Sequence, residues 1–119
     1  GAAIIFLANE SRAKKYAQDN NLRIEDIPYI KGWGHKTGPI TLKDKIDYSK
    51  NSDYIFPHVK SAIDDAFNRA SISNYESLDA IETHDCFSST EYMAIDHFGI
   101  TKPGESWKAI ESGDIEVGG

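Results

Sequence analysis

A chain of 119 residues, 39% hydrophobic and 27% charged, has the length and composition of one soluble domain able to bury a core. Thirteen Lys and Arg against 19 Asp and Glu give a formal net charge of −6, which disfavours nucleic acid and anionic membrane as partners. A single cysteine makes no internal disulfide, so a reducing compartment such as the cytoplasm is expected, and no run approaches the ~18 apolar residues of a membrane helix.

In chain order, residues 2–8 read as a short buried strand, continuous and apolar but too brief for a helix. With no basic stretch before it, this run does not read as a signal peptide. Asn9 or Ser11 can cap a helix over 10–19, with Ala13, Tyr16 and Ala17 on one face and Asn20-Asn21 to stop it. Residues 27–33 predict a second strand, with Pro28 near its start. Gly32 to Pro39 is loop, and it lacks the Lys-Ser/Thr and the glycine spacing of a phosphate-binding loop. A tight turn in which backbone passes close to another element accounts for its glycines.

Residues 41–53 read as a polar surface excursion, whose Lys43, Lys45 and Lys50, like Lys60 beyond, are offset by Asp44, Asp47 and Asp53. Val59, Ala62, Ile63, Ala66, Phe67 and Ala70 recur at helical spacing and predict a helix over 55–71, with Pro57 in its first turn. A turn at 73–77 and a third strand at 78–84 follow. Ser88 with Glu91 matches a capping box for a helix over 88–98, apolar on most sides and ended by Gly99. Asp96 and His97 are assigned to its exposed face. Residues 101–114 read as loop with one helical turn near Trp107–Ile110. Strands alternating with helices predict an α/β fold. A start inside an apolar strand without Met, and an end just after the strand-like Ile115-Glu116-Val117, suggest an internal piece of a longer protein.

The chemistry concentrates at His84-Asp85-Cys86-Phe87, where the predicted third strand turns into the 88–98 helix. A thiol at a helix N-terminus meets free amides and the positive end of the helix dipole, which favour the thiolate, and a protonated His84 adds to that effect. Such a thiol serves as nucleophile or proton carrier, and an imidazole beside it can donate to a developing oxyanion. Residue types alone favour a plainer account, with Cys86 a small buried hydrophobe and His84 the polar end of a strand. Zinc held by Cys86, His84 and one of His35, His58 or His97 matches no common ligand spacing.

Glu82-Thr83-His84-Asp85-Cys86-Phe87, with Thr90-Glu91 after it, resembles the HDCF motif of sterol-carrier-protein-type thiolases. Gly1-Ala2-Ala3-Ile4-Ile5 resembles the strand that closes the N-terminal half of that fold, and Lys31-Gly32-Trp33-Gly34-His35 the strand and loop that open the C-terminal half. Phe98-Gly99-Ile100, Pro103-Gly104-Glu105 and Gly113-Asp114 fall in the expected order. The resemblance implies a partial thiolase fold, a mixed sheet with packed helices. Residues 1–26 would end the N-terminal domain and 27–119 would begin the C-terminal one.

It further implies an acyltransferase that makes or breaks a carbon–carbon bond in acyl-coenzyme A thioesters. Coenzyme A would enter as substrate, with no tightly bound cofactor, and the full-length enzyme would be a homo-oligomer. His84 would help form the oxyanion hole, and Cys86 would move the proton on the substrate α-carbon. The family's acyl-accepting cysteine and its glycine-histidine-proline motif have no counterpart in these 119 residues, so the isolated chain is expected to be inactive. A thiolase-fold aldolase acting on acyl-coenzyme A, or a non-catalytic thiolase-like partner subunit, is the alternative.

Overall fold

A computed structural model describes residues 1–118, which form five α-helices, two short 3₁₀ turns and, among the described residues, no strand. The helices are α1 (Glu10–Asp19), α2 (Leu42–Ser49), α3 (Pro57–Ala70), α4 (Ser88–Phe98) and α5 (Trp107–Ser112), with 3₁₀ turns at Ile24–Asp26 and Tyr75–Ser77. The chain divides into two compact units, Gly1–Ile30 and a second from Lys31 onward.

The expected α/β fold with a mixed sheet is therefore corrected to a helical one. Residues 2–8, 27–33 and 78–84 carry the side chains of strands but run without a ladder. A strand exists only where its N–H and C=O groups meet those of a neighbour, and composition supplies half of that condition. Ile4, Ile5, Phe6 and Leu7, expected to be buried, are 73–93% exposed.

In the first unit α1 forms where the sequence places it. The Asn9 side chain accepts a hydrogen bond from the Arg12 amide at 2.9 Å, satisfying one of the free donors of the first turn. At the other end the Asn20 side chain donates to the Tyr16 carbonyl at 2.9 Å, and Asn21 turns the chain away at φ +54°. Ala17 is the buried residue of this helix.

The second unit is organised by α3 and α4, which pack on each other with the Phe67 and Phe98 rings 6.4 Å apart. Pro57 opens α3, where its missing donor costs nothing. Gly99 closes α4 at φ +82°, and the Ile100 amide returns to the Ile95 carbonyl at 3.1 Å. The expected capping box at Ser88 does not form. Phe87 is the N-cap, so Ser88 already lies inside the helix, and the Thr90 amide bonds to the Phe87 carbonyl at 2.7 Å.

Helix α2 replaces the expected excursion. Thr41 caps it by accepting from the Asp44 amide at 3.2 Å, and Lys43 pairs with Asp47 one turn on at 2.6 Å. None of its residues is buried, which is why no apolar stripe announced it.

The glycine loop settles on α3. A β-carbon on Gly32 would collide with the carbonyl of Ala66, and one on Gly34 with that of Ala62. Ala62, Ala66 and Ala70 recur every four residues, so small side chains on the helix and absent ones on the loop let the two backbones touch. Arg69 fastens the contact, its guanidinium 4.9 Å from the Trp33 ring centre and donating to the Trp33 carbonyl. Lys36 adds an ion pair to Asp65 at 2.7 Å.

Candidate active site

The segment before α4 carries the HDCF residues, and His84, Asp85, Cys86 and Phe87 are all exposed. Cys86 sits one residue before the helix cap, with its Sγ 3.5 Å from Thr90 Oγ1, within hydrogen-bond reach for sulfur. Among the described residues no hydrogen bond joins Cys86 to His84. The buried-hydrophobe account of Cys86 is thus overturned, since the thiol faces solvent at the start of an eleven-residue helix. Among the described residues no three His, Cys, Asp or Glu side chains converge to hold a metal ion.

Next to the motif lies a cavity of about 560 Å³. It is lined by Asp53, Tyr54 and Ile55 from the segment before α3, by Ser88, Ser89, Tyr92, Met93 and His97 of α4, and by Ser106. His84 and Cys86 are not among its lining residues.

Sequence reasoning put Asp96 and His97 on an exposed face, and the structure corrects both. His97 is 2% exposed. Its Nδ1 meets the Met93 carbonyl one turn back, and its Nε2 accepts from the Phe56 amide at 3.1 Å. Burial pushes its pKa below the ordinary imidazole value, against the pull of the Met93 carbonyl and the Asp96 charge. Asp96, half-buried, gathers the turn that follows α4. Its carboxylate accepts from Thr101 Oγ1 at 2.8 Å and from the Gly104 amide at 2.7 Å, and Ser106 Oγ also reaches it. Ser106 Oγ lies 2.6 Å from the Tyr92 carbonyl too, so its single proton serves one acceptor at a time. A signal for this was present: a helix apolar on most sides leaves no wet face for His97, four residues after Met93.

A chain with these features, an HDCF segment running into a largely apolar helix and a Pro-Gly turn behind it, matches the thiolase C-terminal domain-like family over residues 41–119, and the protein belongs to that family. Over 120 aligned residues it is 28% identical to an acetyl-CoA acetyltransferase of Methanothermobacter thermautotrophicus, covering 100% of this chain and 28% of that protein. A stretch of 42 residues is 40% identical to sterol carrier protein 2 of Bos taurus, covering 35% of this chain and 8% of that protein. The chain therefore spans 28% or less of the length of these curated relatives. No solved structure matches it. The resemblance to sterol-carrier-protein-type thiolases read from the sequence holds at the level of the family.

Proposed function

We propose that this chain is part of a thiolase-type acyltransferase that forms or cleaves a carbon–carbon bond in acyl-coenzyme A thioesters. The observation that carries the reading is the family match together with the position of His84 and Cys86, solvent-exposed at the N-terminal approach to α4. The relative named an acetyl-CoA acetyltransferase, aligned over all of this chain, supports the same substrate class.

In this reading the Cys86 thiolate removes a proton from the α-carbon of one thioester, and the freed C–H pair becomes the enolate. A ring N–H of His84 donates to the enolate oxygen as its charge grows, a contribution worth about 10²–10³ in rate for a well-aimed donor. The nucleophilic carbon then attacks a second acyl carbonyl, and the bond from that carbonyl to its leaving sulfur breaks. That acyl group must be carried elsewhere, because Cys86 is the only cysteine and is already assigned to the proton. Residues 1–26 would belong to an N-terminal thiolase-like domain and 27–119 to a C-terminal one, in a cytoplasmic homo-oligomer that takes coenzyme A thioesters as substrate. No described helix is long and apolar enough to cross a membrane.

The test is acyl transfer, followed by release of coenzyme A thiol, in a longer protein containing this chain. His84→Asn is expected to lower kcat by about 10²–10³ and Cys86→Ser by about 10²–10⁴. The isolated 119-residue chain is expected to show no turnover. Full activity in either variant would remove that residue from its role, and retro-aldol cleavage without acyl transfer would favour the aldolase.

A further inference from the structure

The interior of the cavity holds two buried polar side chains, His97 and Ser106, and His97 bridges two elements. A carbonyl only accepts and an amide only donates, so the Met93 carbonyl at Nδ1 and the Phe56 amide at Nε2 specify one form of the ring. Nδ1 carries the proton and Nε2 is bare. Phe56 is the N-cap of α3 and has no side-chain cap of its own. Its amide ends the 53–56 segment, of which Asp53, Tyr54 and Ile55 line the cavity together with Tyr92, Met93 and His97 of α4.

We propose that His97 is a neutral-imidazole latch that ties the 53–56 segment to α4, sets the separation of the two elements that line the cavity, and releases the segment when Nε2 is protonated. A doubly protonated ring points a donor at the Phe56 donor, so the bond is lost and the buried ring N–H is left facing a part-buried amide N–H.

The groups around the ring decide when this happens. From the 53–56 segment, Tyr54 and Phe56 pack their rings at 5.2 and 6.2 Å, and Asp53 lines the cavity. From α3, Lys60 lies 5.6 Å from the Tyr54 ring centre and opposes a second positive charge. His58 meets the cluster through the Phe56 ring at 5.7 Å. On α4 itself, Asp96 favours the charged ring but already accepts from Thr101 and Gly104. After α4, Ser106 is uncharged and Glu105 is paired with Lys108 at 2.8 Å. Desolvation outweighs Asp96, so the latch is closed at neutral pH and opens on the acid side of the ordinary imidazole range.

The experiment is nitrogen-15 NMR of the 119-residue chain with amide hydrogen exchange, carried from neutral toward acid pH. The His97 ring is expected as the Nδ1–H tautomer at neutral pH. As it titrates, the Phe56 amide should lose about tenfold or more of its protection, while the amides of α1 hold theirs. In His97→Gln a side-chain carbonyl can accept from Phe56 without titrating, so Phe56 stays protected and the acid step disappears. In His97→Leu the protection is absent at every pH. Should the Leu variant fail to fold, the wild type and the Gln variant still decide. An Nε2–H tautomer, Phe56 exchange that ignores the ring's titration, or an acid step that survives in the Gln variant would each overturn the latch.

Discussion

Gly34 rests against the backbone of Ala62, close enough that a β-carbon would overlap the Ala62 carbonyl. The obstruction is helix backbone, which cannot swing aside as a long side chain does. Gly34→Ala must therefore lift the loop off α3 or bend the helix. We expect a loss of about 1–3 kcal/mol, as for other overpacking substitutions, read by chemical denaturation. The lift should also separate Arg69 from Trp33, so the fluorescence of Trp33 should change. A Gly34→Ala chain as stable as the wild type would contradict the close contact.

Asp96 is the anchor of the turn from Thr101 to Ser106, since its carboxylate accepts from both ends of that turn. Asp96→Ala leaves the Thr101 hydroxyl and the Gly104 amide without their acceptor. A donor stripped of its partner costs about 1–3 kcal/mol where water cannot replace it. The loss should be toward the low end, because Gly104 is exposed. Hydrogen exchange should show the Gly104 amide opening first, and the Ser106 hydroxyl should turn wholly to the Tyr92 carbonyl.

Acid should act on this fold in two windows. The His97 pKa is lowered in the folded chain, so the unfolded chain binds the proton more readily. Stability from this group is complete above the unfolded value, near 6.5, and is lost as pH falls from there toward the folded value. Asp65 is also lowered, chiefly by its hydrogen bond from Lys36. Its contribution is present above the ordinary carboxylate value, near 3.9, and is lost as pH falls through the folded one. Thermal melting against pH should therefore fall first near the imidazole range and again below the carboxylate range. Lys36→Met should shrink the second step alone, and His97→Gln the first alone.

How far the sequence foretold this structure depends on where each element finds its partners. Helix α1 was legible to its ends because Asn9 and Asn20 cap it locally, and α3 and α4 because their apolar spacing is local as well. The strands failed for the opposite reason. Ile4 to Leu7 have the composition of a strand, but a ladder depends on a second segment that no local pattern supplies. Helix α2 was missed because ion pairs and a Thr41 cap leave no apolar signature. At the candidate site the HDCF segment was singled out by its family resemblance, while the place of His97 was not foreseen. Its role arises from the Phe56 amide, 41 positions away in sequence, which no spacing rule connects to it.

The exposure of Cys86 has a direct consequence for its reactivity. Its side chain is exposed, and its hydrogen-bond partner among the described residues is Thr90 Oγ1 at 3.5 Å. A buried cysteine reacts only when the chain opens, at a rate tied to unfolding. Cys86 should instead take one equivalent of iodoacetamide in native buffer, and denaturant should raise neither the extent nor the stoichiometry. Because the adduct projects into solvent, the helical circular dichroism should be unchanged and the stability should move by no more than about 0.5 kcal/mol. Thr90→Val removes the hydroxyl within reach of the sulfur and should leave the extent of labelling the same. Labelling that waits for denaturant would return Cys86 to the interior and withdraw the access on which its proposed proton-transfer role depends.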